Sequence, residues 1–266
     1  MNKNAETYAG ILDQLSKMNT DVVIGEFAGR DSAAAIIKAL EADDLHHVLP
    51  VATFAPTEYG DFHSLERNLL STQKRVAQLH GDVKTVDHLL YYSNPDLWSA
   101  LNGRFAFVLQ EKYGFFSPCI GCHAYFHLVR LPFALKLGKK IISGERESHD
   151  GQVKINQRGP CLDVYKKITA YFGVELLMPL RHMKEGNEVV SLLGWDWEEG
   201  GSQPVYALSG SCRTAAGQVS YDAQALHRFL QDFLYPTAIE LGELIIGNPQ
   251  SDRKTMLQII GKRVGE

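Results

Sequence analysis

Residues 21–40 read Asp21-Val-Val-Ile-Gly-Glu-Phe-Ala-Gly-Arg-Asp-Ser-Ala-Ala-Ala-Ile-Ile-Lys-Ala-Leu40, and this stretch decides the fold. The apolar run at 21–26 predicts a short buried strand, and the small residues at 27–32 predict a tight turn after it. Asp31 or Ser32 can cap the helix that we predict over 33–40. A strand, a tight loop and a helix in this order indicate the first unit of a parallel sheet.

The same alternation of short strands and longer helices continues along the chain. Apolar segments at 47–55, 82–87, 139–143 and 174–178 predict strands, and those at 62–80, 97–112, 119–137 and 184–193 predict helices. We therefore predict an α/β protein with a doubly wound, mostly parallel five-stranded sheet and helices on both faces. Pro132 is expected to kink or end the helix over 119–137.

The alternation stops at the turn-rich stretch 195–202, and residues 222–246 then predict a long amphipathic helix. We divide the chain into an α/β domain, residues 1–215, and a helical C-terminal extension, residues 216–266. The apolar face of the long helix is expected either to pack on the core or to form a homodimer contact. A short amphipathic helix is also predicted at 7–17, with Ile11 and Leu15 on its apolar face.

Composition limits the class of protein. The 266 residues are 45% hydrophobic, with 27 Lys and Arg against 31 Asp and Glu, which excludes a disordered chain. Four cysteines are too few for a disulfide scaffold. The formal charge of −4 argues against a non-specific coat for nucleic acid and leaves a local basic patch open. We expect a soluble cytoplasmic protein without a membrane partner, because no signal-peptide core or spanning apolar run is found.

The loop at 27–32 lies where α/β proteins bind phosphates. Ligands sit at the carboxyl ends of parallel strands, and the free amides at a helix N-terminus suit a phosphate group. No Gly-Lys-Ser/Thr follows the glycine and no Gly-x-Gly-x-x-Gly is found, which excludes a Walker loop and a dinucleotide fingerprint. From its position alone, the loop is either an ordinary turn or a phosphate cradle.

The segment Phe27-Ala-Gly-Arg-Asp-Ser32 resembles the Ser-Gly-Gly-x-Asp-Ser loop of the PP-loop ATP pyrophosphatases, a superfamily of adenine nucleotide alpha hydrolase-like proteins. Phe27 and Ala28 depart from the pattern: the first hydroxyl is lost, whereas Ala28 still allows close approach of the backbone. The resemblance implies the PP-loop (HUP) type of fold, ATP with Mg²⁺ as cofactors, and adenylation of a carbonyl oxygen of the substrate. It implies that the nucleotide is bound by Ala28, Gly29, Arg30, Asp31 and Ser32, with Asp31 also catalytic.

A second segment, Gly144-Glu-Arg-Glu-Ser-His-Asp150, resembles the family's Gly-His-x-x-Asp-Asp segment near the nucleotide, with Gly144 as the direct match. The resemblance implies nucleotide contacts from Gly144 and Glu145, and a catalytic Asp150 that binds Mg²⁺ or the phosphates. A solvated charged loop is the alternative. Farther on, Met178-Pro-Leu resembles the family's Pro-Leu before a Lys/Glu-rich helix start.

The cysteine pair in Cys119-Ile-Gly-Cys122-His123 has several interpretations. The Cys-x-x-Cys-His pattern can attach c-type haem. That attachment normally takes place after export, and the absence of a signal-peptide pattern argues against it. A thioredoxin-like pair must open a helix directly after a strand, for which 113–118 is a poor candidate. A metal site would need further ligands, and two inert buried thiols are the alternative. His123, His127 and Arg130 share one helix face, which indicates a substrate channel or an exposed polar stripe.

A lone Cys212 follows in the small-residue loop Ser209-Gly-Ser-Cys-Arg213, 90 positions after Cys122. The phosphate-type loop, the Cys-x-x-Cys pair and this cysteine together resemble the iron–sulfur-dependent tRNA 2-thiolation enzymes of the PP-loop class, over about residues 20–215. The resemblance implies that Cys119, Cys122 and Cys212 hold a [4Fe–4S] cluster with one iron open to hydrosulfide. Cys161 is a catalytic persulfide carrier, an alternative third ligand or a structural thiol.

We therefore predict an ATP-dependent sulfurtransferase that adenylates a carbonyl of a tRNA base or of a small molecule. The sulfur would come from sulfide or from a sulfur-donor protein. The negative charge, and the lack of further cysteine and histidine clusters for an RNA-binding zinc finger, weigh against tRNA. Two alternatives stay open: an amidating or ligating ATP pyrophosphatase with zinc on the cysteines, and a nucleotide-binding module without catalysis.

Overall fold

The computed structural model describes residues 10–196 and 222–265, except 12, 14, 16, 19, 20, 57–61 and 249. Its strands form one six-stranded sheet in which every pairing is parallel. They are β1 (Val22–Glu26), β2 (His47–Ala52), β3 (Thr85–Val86), β4 (Leu90–Tyr91), β5 (Lys140–Ile142) and β6 (Glu175–Leu177). The predicted α/β class with a mostly parallel sheet is confirmed. The additional strand is β4, which is too short to give a sequence pattern.

Helices cover both faces of the sheet. On one face lie α1 (Arg30–Ala39), α2 (Phe62–His80) and α7 (Gly186–Leu193). On the other lie α3 (Pro95–Asn102), α4 (Ala106–Tyr113), α5 (Pro118–Ala134), α6 (Gly159–Tyr171), α8 (Ala223–Arg228), α9 (Tyr235–Gly247) and α10 (Arg253–Val264). Strand side chains alternate between the faces, so Val22 and Ile24 join one buried cluster and Val23 joins the other.

The order of the strands puts two loops side by side. The sheet runs β3-β2-β1-β5-β6, with β4 also paired to β2. From β1 the chain moves outward through β2 and β3, and then returns to place β5 on the other side of β1. In open α/β sheets, this reversal of direction marks the edge where ligands bind. The loops after β1 and β5 both leave the sheet at that point.

The start of α1 differs from the sequence prediction. The helix begins at Arg30 with Gly29 as its N-cap, rather than with Asp31 or Ser32. The Ser32 hydroxyl accepts hydrogen bonds from the amides of Ala28 and Gly29, at 2.9 and 3.0 Å. It therefore satisfies amides that precede the helix, and the helix can start two to three residues earlier than predicted.

Two other helix predictions were wrong in their limits. The helix predicted over 97–112 is split into α3 and α4, because Gly103 ends α3 with its amide bonded to the Ser99 carbonyl at 3.0 Å. A Cβ on Gly103 would lie 2.7 Å from that carbonyl oxygen. In contrast, α5 does not end at Pro132 but continues to Ala134. Pro132 removes one backbone hydrogen bond from the helix. Burial of nearly all of the helix's side chains stabilises it across that position.

The predicted long helix at 222–246 is helical from Ala223 to Gly247, with a π-helical segment at Phe229–Leu234 between α8 and α9. Helix α10 was not predicted from the sequence. Core packing is confirmed for this region, since Phe229, Leu230 and Phe233 are buried in the same cluster as α5. The predicted domain boundary at 215 lies outside the described residues. No helix in the described parts of the chain is long and apolar enough to cross a membrane.

Candidate functional site

The candidate site lies where the loops after β1 and β5 meet. A Cβ added to Gly144 would lie 2.5 Å from the Ser32 amide nitrogen, closer than real Cβ contacts. Only glycine at 144 therefore allows this approach. The loop after β1 also folds back on itself, because the Ser32 hydroxyl donates to the Gly29 carbonyl at 2.7 Å. The structure thus brings Gly29, Ser32 and Gly144 together at the start of α1.

A buried cation is paired with Asp31 at this position. The Arg146 side chain is 1% exposed, and its Nε donates to Asp31 Oδ2 at 3.0 Å. Arg30 Nε lies 3.5 Å from the other carboxylate oxygen, Oδ1. Burying a guanidinium without an anion is costly, so Asp31 compensates Arg146 within the protein. The amides that open α1 remain as the positive end of its helix dipole.

His149 connects Arg146 to Gln157, and these residues form a hydrogen-bonded network with Asp31 and Glu145. Arg146 Nη2 lies 2.9 Å from His149 Nδ1, and His149 Nε2 bonds to Gln157 Oε1. Burial, together with the positive charges of Lys154 and Arg146, lowers the pKa of His149 to about 4, against the opposing effect of Gln157 and Asp31. The ring is therefore neutral at pH 7. It accepts from Arg146 at Nδ1 and donates to Gln157 from Nε2.

Glu145 is the centre of the network. Its side chain is 3% exposed, and it accepts from Gln157 Nε2 at 2.6 Å. His123 Nδ1 lies 2.5 Å from its other oxygen, Oε1. Burial opposes ionisation, but the neighbouring imidazoles of His123 and His127 outweigh burial and hold the pKa of Glu145 well below its usual range. A buried carboxylate anion thus joins the loop after β5 to helix α5.

The cysteine pair lies at the beginning of α5. Cys119 and Cys122 are 7% and 5% exposed, and Trp98 Nε1 donates to Cys122 Sγ at 3.3 Å. The segment before the pair, 114–117, contains no strand, unlike a thioredoxin-like motif. Cys212 lies outside the described residues. Because His123 follows the pair and contacts Glu145, the first turns of α5 lie beside the loop after β5.

Cys161 lies in surroundings that disfavour its thiolate. It is a fully buried free thiol in the first turn of α6, and it donates to the Ile155 carbonyl at 3.3 Å. Burial and the Glu145 carboxylate raise the pKa of the Cys161 thiol to about 12, against the opposing effect of Arg158. A thiol in this state is a poor nucleophile, which favours the structural role among the three considered.

Asp150 is exposed, and its carboxylate contacts a different helix. Oδ1 accepts from the amide of Gly186, the first residue of α7, at 2.6 Å. The amide of Asp150 in turn donates to the Lys184 carbonyl at 3.0 Å. These bonds tie the loop after β5 to the start of α7 and leave Asp150 Oδ2 outside this contact. Asp150 therefore lies on the same loop as Glu145 but contacts α7 rather than α5.

Comparison with known proteins places the chain in a family. No model of a known protein family matches it. It is 42% identical over 221 residues to a protein of the archaeon Methanocaldococcus jannaschii, "Uncharacterized protein MJ0009", covering 83% of this chain and 79% of the relative. The chain belongs to the same family as this archaeal protein. The relative's name states no activity, so the function has to follow from the site.

Two members of the network were not predicted from the sequence. Asn156 and Gln157 lie in a single 3₁₀ turn before α6, and both are buried. Asn156 Nδ2 lies 2.7 Å from His123 Nε2, and Gln157 joins His149 to Glu145. Polar residues in a polar loop give no periodic signal, and only the fold brings them to α5. The nearest sequence sign was the cluster of polar residues at 145–150.

Proposed function

We propose that this protein is a PP-loop-type ATP pyrophosphatase that adenylates a carbonyl oxygen of its substrate and then transfers sulfur to the same carbon. The observation that carries the proposal is the contact of Gly144 with Ser32, which joins the two nucleotide-type loops at the reversal of strand order. Ligand binding at this edge is the general behaviour of open α/β sheets. The tight contact also brings the backbones of the two loops together without an intervening side chain.

The residues at this edge of the sheet fit a nucleoside triphosphate. The first amides of α1 have no partners within the helix, which suits phosphate oxygens. Arg146 adds a fixed positive charge held by Asp31. Oδ2 of Asp150 is the carboxylate oxygen that we assign to Mg²⁺, a cation that prefers oxygen ligands, because both oxygens of Asp31 already face arginines. In this arrangement the chain would bind the phosphates and neutralise charge on the pyrophosphate that leaves.

The cysteines fit an iron–sulfur cluster by their chemistry. Cys119 is disulfide-bonded in the structure, so it would supply a thiolate only after reduction. Cys122, one helical turn away and next to the Trp98 donor, would supply a second thiolate, and Cys212 would supply the third ligand. When bound, a cluster with one iron lacking a protein ligand offers a site for hydrosulfide. The substrate oxygen attacks the α-phosphorus of ATP and pyrophosphate leaves. Hydrosulfide then attacks the activated carbon, and AMP leaves with the oxygen, so that C=S replaces C=O.

The first test is metal content and nucleotide chemistry in protein purified without oxygen. We expect iron and acid-labile sulfide in the wild type, and loss of both in Cys122→Ala and Cys212→Ala. Cys161→Ala should keep its iron and serves as the matched cysteine control. Stoichiometric zinc and a colourless sample would instead indicate the amidating or ligating enzyme. Equal iron in the Cys161 and Cys212 variants would contradict the ligand assignment.

The second test is ATP turnover with candidate acceptors, measured as release of AMP and pyrophosphate. Asp31→Ala should lower kcat/KM by roughly 100-fold or more, because Arg146 loses its anion and the phosphate site loses its fixed geometry. Asp163→Ala, at an exposed position, is the control. Mass spectrometry of tRNA nucleosides from cells with and without the protein then separates a tRNA base from a small molecule as acceptor. Unchanged turnover in Asp31→Ala would remove this loop from the mechanism.

A nucleotide-binding module without turnover is the second candidate, and one observation favours it. The Ser32 hydroxyl is bonded to the amides of Ala28 and Gly29, so the loop is closed on itself. ATP binding, measured by calorimetry, without AMP release from any candidate acceptor would support this module over the enzyme.

A further inference from the structure

Two side chains next to the site have buried polar atoms without hydrogen-bond partners among the described residues. Both ring nitrogens of His127, which is 1% exposed, lack a hydrogen-bond partner there, and so does Oδ1 of Asn156, a residue that is also 1% exposed. A buried polar group without a partner costs about 1–3 kcal/mol. Native proteins rarely keep such groups without a bound water, ion or functional reason.

The unpartnered histidine belongs to a group of three potential ligands. His123 and His127 are four residues apart on α5 and therefore lie on one face of the helix. His127 Nε2 lies 3.6 Å from Glu145 Oε1, too far for a hydrogen bond, and His123 Nδ1 lies 2.5 Å from the same oxygen. One nitrogen of each imidazole thus lies within 3.6 Å of the same carboxylate oxygen.

The surroundings are those of a supported metal site. Gln157 Nε2 holds the other oxygen of Glu145 at 2.6 Å, which fixes the carboxylate. A half-turn of the Asn156 amide would put its unpartnered Oδ1 against His123 Nε2, now 2.7 Å from Nδ2. When His123 Nδ1 binds a metal, Nε2 carries a proton and needs such an acceptor. Metal binding would therefore give His127 Nε2 a partner, and the turned amide would give Asn156 Oδ1 one, whereas His127 Nδ1 gains none among the described residues.

In the present structure, His123 and Glu145 are as close as two groups that share a hydrogen bond, and closer than two ligands of one metal ion. As the side chains stand, no group of three or more His, Cys, Asp or Glu residues in the described part of the chain is placed to hold a metal ion, so the proposed ligands must shift. Tetrahedral ligands with bonds of about 2.1 Å are about 3.4 Å apart. The 3.6 Å between His127 Nε2 and Glu145 Oε1 is close to that value. His123 must move by about 1 Å to reach the same spacing, and its side chain is 26% exposed, so the ring has room.

We propose that His123, His127 and Glu145 form a binding site for a first-row divalent metal ion, best matched by Zn²⁺. Two imidazoles with one carboxylate favour zinc over Mg²⁺ or Ca²⁺, which prefer oxygen ligands. Three protein ligands leave one position open, as in zinc sites that bind water or substrate. The site shares no ligand with the cysteine site and does not depend on the proposed ATP or sulfur chemistry.

The test is zinc binding by metal-stripped protein, followed by competition with a chelator of known affinity and by metal analysis after dialysis. We expect one equivalent in the wild type and its loss in His127→Gln and Glu145→Gln. Asn156→Ala, which removes only the supporting acceptor, should weaken zinc binding by about 10- to 100-fold. His182→Gln, at a side chain that is 81% exposed, is the matched control and should bind zinc as the wild type does.

Two further measurements identify the ligands and exclude misfolding. Co²⁺ in the same site should show d–d bands without thiolate charge transfer, and Cys122→Ala should keep the metal. His123→Gln changes a partly exposed ring and should fold normally by circular dichroism, yet show no zinc-dependent rise in Tm. Equal zinc affinity in the wild type, His123→Gln and His127→Gln would overturn the proposal, as would zinc that follows Cys122. Iron content and AMP release are measured separately, so failure of the proposed function leaves this result intact.

Discussion

At the scale of single residues, the environment of Cys161 separates a structural thiol from a reactive one. Its thiol is fully buried, bonded to the Ile155 carbonyl, and has its pKa raised to about 12. Thiolate, the reactive form, is therefore almost absent in the folded protein at pH 8. The favourable contribution of this buried neutral thiol to stability is fully present below the ordinary thiol pKa of 9.0 and is lost as the pH rises toward 12.

We predict that Cys161 does not react with N-ethylmaleimide in the native protein at pH 8, and reacts rapidly after unfolding. Mass spectrometry of the peptide that contains Cys161 measures both states. The variant Cys161→Ala should keep turnover close to that of the wild type. Rapid labelling of the native thiol, or loss of turnover in the variant, would restore the persulfide role.

The residue scale also shows what a sequence can and cannot predict about a site. Gly144 and Ser32 could be assigned to one site, because motif spacing and the parallel-sheet rule place both at carboxyl ends of strands. Asn156 and Gln157 could not, because their contacts join segments that local pattern does not relate. The pairing of Asp31 with Arg146 likewise depends on side-chain placement. The local sequence therefore shows which chemical groups are present, whereas the fold determines which of these groups contact one another.

At the scale of elements, Asp150 links a loop to a helix. Its Oδ1 accepts from the Gly186 amide at the N-terminus of α7, where a negative charge is favourable. We predict that Asp150→Ala lowers the free energy of unfolding by about 1 kcal/mol, a fall in Tm of about 2–4 °C for a chain of this size. Thermal unfolding followed by circular dichroism measures it.

Asp150→Asn, compared with Asp150→Ala, separates the hydrogen bond from the negative charge, because an amide oxygen can still accept from the Gly186 amide. It should keep most of the stability and yet raise the Mg²⁺ concentration needed for ATP turnover, if the second carboxylate oxygen binds the metal. Unchanged Mg²⁺ dependence in Asp150→Asn would leave Asp150 with the structural role alone. Equal losses of stability in both variants would argue that the negative charge, rather than the hydrogen bond, matters.

Element boundaries were predicted less well than element types. Strands β1, β2 and β5 and helix α2 follow directly from apolar patterns, since burial on both faces produces continuous apolar runs. The division between α3 and α4 depends on how Gly103 approaches the Ser99 carbonyl, which a pattern does not reveal. The continuation of α5 past Pro132 depends on tertiary packing that overrides the preference of proline.

At the scale of the whole molecule, the C-terminal helices complete the core on one face of the sheet. Leu226, Phe229, Leu230, Phe233 and Leu234 are each at most 3% exposed and belong to the cluster that includes α5 and α6. Burial of each is worth about 1.5–3 kcal/mol, so the five contribute on the order of 10 kcal/mol. That is comparable with the whole stability of a typical protein, about 5–15 kcal/mol.

We therefore predict that a chain ending at residue 221 does not fold to a compact native state. Near-ultraviolet circular dichroism and size-exclusion chromatography should show loss of fixed packing and aggregation. Phe229→Ala, expected to cost about 3–5 kcal/mol, is the milder version in the full chain. A truncated chain that unfolds cooperatively as a monomer would instead support residues 1–215 as an independent domain.

The hydrogen bonds from Arg146 to Glu145 all run in one direction. Arg146 donates to His149, His149 donates to Gln157, and Gln157 donates to Glu145. Gln157 is therefore a relay whose amide must present its oxygen to one neighbour and its nitrogen to the other. Reversing that amide would set two donors face to face at His149 and two acceptors face to face at Glu145. These directed hydrogen bonds therefore connect the positive charge of Arg146, beside the β1 loop, to the negative charge of Glu145, beside α5, through the Gln157 side chain.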